Sequence, residues 1–225
     1  MREIVLDTET TGLDPGDGHR VIEIGCVELL DQLPTGVTFQ CYLNPERPVT
    51  ESEQVHGISD AFLQDKPLFA HVVEEFLEFL GDSPLIIHNA SFDLKFLNAE
   101  LHRIGRPPIA YGRAIDTIEI AKTKIPGARY SLDELCRRFA IDLSVRQKHG
   151  ALLDAQLTAK IYLELVGGRQ TRLTLAPLDA AVAAVQSFVA RIREEMLPPR
   201  LTPEEQAAHA AFVADLGPDA VWNWS

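Results

Sequence analysis

The sequence has little cysteine and no long apolar run. Its 225 residues include only three cysteines, Cys26, Cys41 and Cys136, and none of them forms a CxxC pair. This scatter excludes a cysteine metal site and indicates reduced thiols. No apolar stretch reaches the roughly 20 residues that a membrane helix needs, and the acidic N-terminus lacks the basic flank and apolar core of a signal peptide. We therefore expect a cytoplasmic protein.

Basic residues are also scarce. Lys and Arg total 21 against 33 Asp and Glu, which gives a net charge of −12. Tight binding to a polynucleotide normally depends on Lys and Arg that neutralise phosphates, so this chain should not hold one tightly alone. Bound divalent cations or a partner protein that holds the substrate would compensate, and we expect both. The 46% hydrophobic and 24% charged residues are typical of a globular chain with one domain and a tail.

Hydrophobic periodicity predicts an α/β fold, with an early antiparallel ribbon and later helices packed on a mixed central sheet. Ser131 and Glu134 form a capping-box pattern before one of the helices. Glycines at 167–168 end a long helix, and we place the domain boundary there, before a linker at 169–176 and a helical or flexible C-terminal tail at 177–225. Predicted strands cover residues 3–7, 20–30, 38–43, 84–87 and 114–116; predicted helices cover 69–80, 92–104, 132–140, 150–166 and 178–196, and a short one follows the LTP at 201–203.

The first acidic motif is Asp7-Thr8-Glu9. Residues i and i+2 of a strand point to one face, so both carboxylates project together, and their repulsion favours a cation between them. An isolated D-x-E is more often an exposed strand end. The Thr-Thr-Gly turn that follows favours a functional site.

Two further motifs occur at predicted helix starts. In HNASFD, Asp93 falls in the first helical turn, where a carboxylate also stabilises the helix dipole without any catalytic role. In HGALLDA, Asp154 lies on the helix, and His149 belongs to the loop before it. A loop histidine suits a general base, although alone it would more often be a surface histidine.

Together, DTETTG, HNASFD and HGALLDA resemble the DEDDh, or DnaQ-like, 3′→5′ exonucleases over residues 1–168. The resemblance implies an RNase H-like fold and a two-metal site. Its four metal ligands would be Asp7, Glu9, Asp93 and Asp154, with His149 as the general base. Carboxylate oxygens suit hard cations, so we expect two Mg²⁺ ions, with Mn²⁺ as a substitute.

The same resemblance implies contacts to the terminal nucleotide. Thr8, Glu51 and His56 match substrate-binding positions, with Glu51 placed through a variable loop, and a purely structural role stays open for Glu51 and His56. Asp116 and Thr117 recur in the family too, and we interpret them as a hydrogen-bonding support.

The catalytic motifs do not separate DNA from RNA as substrate. GHRVIEIG, PGARYSLDELC and the tail EEQAAHAAFVADLGPDAVWNW resemble the epsilon proofreading subunits of bacterial DNA polymerase III, which implies a DNA 3′ end as substrate. The alternatives are a free-standing exonuclease acting on RNA or single-stranded DNA, and a scaffold without chemistry. Because all five catalytic positions carry the expected residues, we disfavour the scaffold.

The tail offers two partner predictions. Gln170, Leu173 and Leu175 resemble a weak peptide that binds the sliding clamp, with a plain linker as the alternative. Trp222 and Trp224 at the end of the chain favour binding to the catalytic (alpha) subunit of DNA polymerase III, because tryptophan is enriched at interface hot spots.

Overall fold

Three long strands open the chain and form an antiparallel meander. They are β1 (Arg2–Thr10), β2 (Val21–Leu30) and β3 (Leu33–Tyr42). Two short strands, β4 (Leu85–Ile87) and β5 (Ala114–Asp116), add in parallel on the other side of β1. The sheet order is β3-β2-β1-β4-β5. The mixed sheet and its antiparallel ribbon confirm the predicted α/β class.

These strands come from a computed structural model, which describes residues 1–49, 52–144, 148–167 and 201–216. The chain divides into two units, Met1–Arg172 and Leu173–Ser225. No helix among the described residues is long and apolar enough to cross a membrane. All three cysteines are free thiols, as predicted.

Helices cover both faces of the sheet. In the first unit they are α1 (Glu53–His56), α2 (Asp60–Leu63), α3 (Phe69–Leu80), α4 (Ala90–Arg103), α5 (Thr117–Lys124), α6 (Leu132–Arg138) and α7 (Ala151–Val166); in the second, α8 (Pro203–Asp215). Short 3₁₀ turns occupy Pro15–Asp17 and Tyr111–Arg113.

Alternation along β1 divides its side chains between two cores. Ile4 and Leu6 are fully buried in the cluster that contains the apolar residues of α3 and α4. Val5 points to the opposite face, where it clusters with Ala155 and Ala159 of α7. Because successive residues of a strand face opposite sides, Asp7 and Glu9 belong to the α7 face and Thr8 to the α4 face.

The predicted boundaries differ from the observed ones in a few places. Strand β1 is longer at both ends than residues 3–7, because β2 pairs with it from Arg2 to Thr10. Helix α6 ends at Arg138 rather than at residue 140. Ser131 caps α6 by accepting from the Glu134 N–H, while the Glu134 carboxylate pairs with Arg137.

The short helix predicted in the tail is α8. Its Thr202 and Glu205 form a complete capping box. The helix predicted at 178–196 lies outside the described residues.

Candidate active site

Asp7 and Glu9 lie side by side on one face of β1. Their cross-strand neighbours on β2 are Gly25 and Glu23, respectively. Glu9 is buried, and Asp7 is half-buried. The strand geometry therefore places both carboxylates on the face that α7 covers, as the D-x-E pattern predicts.

Helix α7 packs directly onto this part of the sheet because Gly25 has no side chain. A Cβ at Gly25 would lie 2.2 Å from the Leu152 nitrogen and 2.3 Å from the Ala151 carbonyl carbon. The buried Glu23 carboxylate also accepts the Ala151 N–H at 3.1 Å. Both contacts fix the first turn of α7, and the buried Asp154 is thereby brought to Asp7 and Glu9.

Asp93 reaches the same cluster from the other face of the sheet. Strand β4 pairs with β1 only at Ile4–Leu6, so β1 continues past it without a neighbour on that side. Asp93, in the first turn of α4, fills this gap: it accepts the Thr8 backbone N–H at 2.9 Å and the Thr8 hydroxyl at 2.7 Å. Thr8 therefore connects Asp93 to the strand that carries Asp7 and Glu9.

The electrostatics of the cluster favour a bound cation. Burial raises the pKa of Asp7 well above its usual value, and the nearby charges of Asp93, Asp154, Glu9 and Glu23 raise it further. Burial likewise raises the pKa of Asp93 to about 7, although the Thr8 hydrogen bonds oppose the shift. Carboxylates crowded in this way are stabilised as anions by divalent cations, which prefer oxygen ligands.

His149 lies in the loop before α7 and completes the arrangement. Its Nδ1 is 3.1 Å from the Asp154 Oδ2. One donor atom each from Glu9, His149 and Asp154 falls within 4.8 Å of the others. The imidazole is about half exposed, whereas the Asp154 side chain is buried. The Glu9 and Asp154 carboxylates therefore fit a divalent metal, and the His149 imidazole is accessible to solvent.

The Asp116 carboxylate stabilises the start of α4 through hydrogen bonds. Asn89 adopts a left-handed conformation with φ of 67° just before the helix. The Asp116 carboxylate accepts the N–H groups of Asn89 and Ala90, at 3.1 and 3.0 Å, and that of Ile118 at 2.8 Å. Asp116 therefore supports the turn that positions Asp93, in agreement with the role inferred from the sequence. Thr117 is buried, and its hydroxyl lies 2.8 Å from the His88 Nδ1.

Of the three substrate positions, two are described. Thr8 is buried beneath Asp93, and His56 is buried at the end of α1. The His56 Nδ1 accepts the Ile58 N–H at 3.0 Å, while its buried Nε2 has no hydrogen-bond partner among the described residues. Glu51 lies outside the described residues. A groove of about 580 Å³ runs between the segment 11–19 and the segment 52–55.

The partner positions in the tail, Gln170, Leu173, Leu175, Trp222 and Trp224, all lie outside the described residues. Their roles stay predictions.

Sequence reasoning assigned no role to Glu23 or Gly25, although both hold α7 in place. A glycine inside a strand-like run was a signal for close backbone approach. Nothing in the local pattern distinguished Glu23, because its partner Ala151 is more than a hundred residues away.

Comparison with known proteins agrees with this site. Residues 4–162 match the RNase_T family, described as exonuclease. The chain is 48% identical over 219 residues to the DNA polymerase III subunit epsilon of Rickettsia typhi, covering 95% of this chain and 96% of the relative. It is 40% identical to the subunit of the same name from Escherichia coli, covering 99% of this chain and 97% of that protein.

Solved structures share the fold. Exonuclease X in complex with 5′ overhanging duplex DNA superposes with a TM-score of 0.59 at 25% identity, covering 73% of this chain and 91% of that one. The nuclease domain of 3′hExo, a DEDDh family member bound to rAMP, has a TM-score of 0.65 at 20% identity and covers 74% and 92% of the two chains. These structures confirm the RNase H-like exonuclease fold.

Divalent metal use is implied by membership of this group. With an exonuclease match across most of its length and close relatives covering nearly all of it, the chain belongs to the DEDDh exonuclease family and, within it, to the epsilon subunits of DNA polymerase III, the 3′→5′ proofreading exonucleases.

Proposed function

We propose that Asp7, Glu9, Asp93 and Asp154 hold two Mg²⁺ ions, for which Mn²⁺ substitutes, and that His149 is the general base. The observation that carries the proposal is the joining of three distant segments: Glu9, His149 and Asp154 place donor atoms within 4.8 Å, and Asp93 is hydrogen-bonded to the residue between Asp7 and Glu9. When bound, a pair of divalent cations activates water and stabilises the attacking and leaving oxygens of a phosphodiester.

His149 is positioned to take the proton of the attacking water. In the tautomer that carries its proton on Nδ1, the ring donates to the Asp154 carboxylate and keeps Nε2 as its basic nitrogen. Asp154 thus orients the ring while serving as a ligand. The water oxygen forms a bond to the phosphorus, the bond from that phosphorus to the 3′-oxygen of the penultimate nucleotide breaks, and the leaving 3′-oxygen takes a proton from solvent as a nucleoside 5′-monophosphate is released.

Thr8, Glu51 and His56 are proposed to contact the terminal nucleotide. The buried, unpartnered Nε2 of His56 supports this role, because a buried polar atom is costly unless a ligand satisfies it. Burial and the charges of Lys148 and His149 lower the His56 pKa to about 4, so the ring is neutral at pH 7.

The proposed substrate is a DNA 3′ end, single-stranded or frayed, presented in the cytoplasm by the replicative polymerase. Trp222 and Trp224 are proposed to bind the catalytic (alpha) subunit, and Gln170, Leu173 and Leu175 the sliding clamp. The shared name of the relatives supports the polymerase, and the net charge of −12 supports a need for a partner that holds DNA.

The test is digestion of a primer with a mismatched 3′ end. We expect the full chain to shorten the DNA primer with Mg²⁺, to stop in EDTA and to act more slowly on an RNA primer of the same sequence. Asp154→Asn should remove turnover while leaving the circular dichroism spectrum unchanged. Equal or faster cutting of RNA would favour the free-standing RNA exonuclease, and an Asp154→Asn protein with normal activity would refute the metal site.

A further inference from the structure

Lys148 lies against a glycine at the edge of the active site. Gly57 caps the C-terminal end of α1 with φ of 75°. A Cβ on Gly57 would lie 2.4 Å from the Lys148 Cδ and 2.8 Å from its Nζ. The lysine stem therefore packs over the space that the missing side chain leaves.

Two neighbours fix where this position is relative to the proposed chemistry. The next residue along the chain is His149, whose N–H donates to the Val55 carbonyl at 3.3 Å and so ties this loop to α1. The residue before Gly57 is His56, and the Lys148 charge is close enough to contribute to its lowered pKa. The ammonium is thus close to His56, and Lys148 is the immediate chain neighbour of the proposed base.

The Lys148 charge is not balanced by a polar contact within the part of the chain that the structure describes. Among the residues that the structure describes, its ammonium forms neither an ion pair nor a hydrogen bond. The guanidinium of Arg20, by contrast, is paired with the buried Glu100 at 2.7 Å. A cation that lies close to His56 and has no polar partner among the described residues is suited to a phosphate, which needs a compact positive charge.

We propose that the Lys148 ammonium binds a phosphate oxygen of the polynucleotide strand whose terminal nucleotide contacts His56. The inference rests on the proposed function. Lys148 is in this scheme a substrate-binding residue, and Gly57 is required because it leaves room for the lysine stem.

The test is the salt dependence of oligothymidylate hydrolysis by the full chain with Mg²⁺. Lys148→Met removes the charge and keeps an unbranched stem. We expect KM to rise about tenfold, with kcat within about twofold, because a charged hydrogen bond to the bound strand is lost. The slope of log(kcat/KM) against log salt should become shallower by about 0.7, which corresponds to one phosphate contact on a single strand.

Matched variants distinguish the effect of the Lys148 charge from the effect of where its side chain lies. Lys124→Met removes an exposed lysine at the far end of α5 and should leave KM and the slope unchanged. Lys148→Arg should recover most of the affinity. Gly57→Ala keeps the charge but both crowds the stem and strains the left-handed backbone at the end of α1, so it should raise KM at least as much as Lys148→Met does. Adding Mn²⁺ should raise the melting temperature of wild type and of Lys148→Met by the same amount, since no metal ligand is changed.

A second substrate locates the phosphate. The p-nitrophenyl ester of thymidine 5′-monophosphate contains only the scissile phosphate. A rise in the KM of Lys148→Met for both substrates therefore assigns Lys148 to that phosphate. A rise in KM for the oligonucleotide alone assigns Lys148 to the next phosphate. An unchanged slope and KM on the oligonucleotide would overturn the inference, as would a fall in kcat without a change in slope. A wild-type protein inactive with Mg²⁺ would instead refute the proposed function.

Discussion

Thr8 donates two hydrogen bonds to Asp93, one from its backbone N–H and one from its hydroxyl. The backbone bond is available because β1 continues past β4, and the hydroxyl bond depends on the residue type. Both hydrogen bonds favour the anionic carboxylate, against the effect of burial. Thr8 is therefore a support for a metal ligand as well as a proposed substrate contact.

Replacing Thr8 with valine tests this support. Thr8→Val keeps the shape and the backbone bond but removes the hydroxyl, so the anion of Asp93 is less stable and metal should bind roughly 10- to 100-fold more weakly. Calorimetric titration with Mn²⁺ measures this directly. Thr123→Val, at an exposed hydroxyl on α5, should have no such effect. Unchanged Mn²⁺ affinity of Thr8→Val would show that the backbone bond alone suffices.

Asp93 also predicts how stability depends on pH in metal-free protein. Its pKa rises from 3.8 to about 7 on folding. Between about pH 4 and pH 7 the folded state keeps a proton that the unfolded state has lost, so the free energy of unfolding should fall as pH rises through this window. Above pH 7 Asp93 is ionised in both the folded and the unfolded state, and its contribution to the free energy of unfolding is fully lost.

We therefore expect the melting temperature of the EDTA-treated protein to be lower at pH 8 than at pH 5, by on the order of 5 °C. Asp7, whose pKa is also raised, contributes in the same direction. Asp93→Asn should weaken the pH dependence, whereas Asp65→Asn, at an exposed carboxylate, should not. Added Mg²⁺ should raise the melting temperature more at pH 8 than at pH 5. A pH-independent melting temperature would contradict the assignment.

At the scale of elements, the site depends on how closely α7 approaches the sheet. Gly25 and Glu23 of β2 fix the first turn of the helix, and that turn carries Asp154. At Gly25 the contact is with backbone atoms of Ala151 and Leu152, so no flexible side chain could move aside there.

Gly25→Ala should displace α7. We expect the free energy of unfolding to fall by about 1–3 kcal/mol, as is typical when extra atoms enter a packed interior. Exonuclease activity should fall about 100-fold, because a shift of the order of 1 Å separates Asp154 from Asp7 and Glu9. Chemical denaturation and primer digestion measure the two effects. Gly112→Ala is the control, since nothing lies within 4 Å of its Cβ position. Full activity in Gly25→Ala would show that the site tolerates movement of α7.

The sequence predicted the elements well where periodicity was strong. Helix α3 and strand β5 have the predicted bounds, and the i, i+2 spacing correctly placed Asp7 and Glu9 on one face. The pattern also placed His149 in a loop. It did not predict the contacts that join distant segments, such as Glu23 to Ala151 or Asp116 to Asn89, because those contacts depend on the packing of the whole sheet.

At the scale of the molecule, the chain separates catalysis from the proposed tethering. Residues Met1–Arg172 form one unit, which contains every described site residue, and Leu173–Ser225 form another. Within the second unit, α8 is capped at its N-terminus, and Phe212 and Leu216 are exposed. The acidic first unit has the chemistry, but its net charge disfavours DNA capture by itself.

A chain truncated after Arg172 should therefore keep its hydrolytic activity and lose its binding to the alpha subunit. We expect residues 1–172 to hydrolyse the p-nitrophenyl ester of thymidine 5′-monophosphate within about twofold of the full chain, and to lose binding to the alpha subunit in size-exclusion chromatography. In the full chain, the double change Trp222→Ala and Trp224→Ala should weaken that binding by at least about 100-fold, as expected for hot-spot tryptophans. Retained binding by residues 1–172 would place the interface on the exonuclease unit instead.

The alternation of β1 has a consequence for how related sequences diverge. A one-residue insertion or deletion between Arg2 and Leu6 that shifted the register of the rest of β1 would turn Leu6 and Thr8 towards α7 and point the two acidic side chains into the apolar core under α3 and α4. Homologues can thus exchange amino acids in this strand but cannot alter its length. We expect natural variation in chain length near the N-terminus to fall in the turns at 11–20 and 31–32, and never between the two acids.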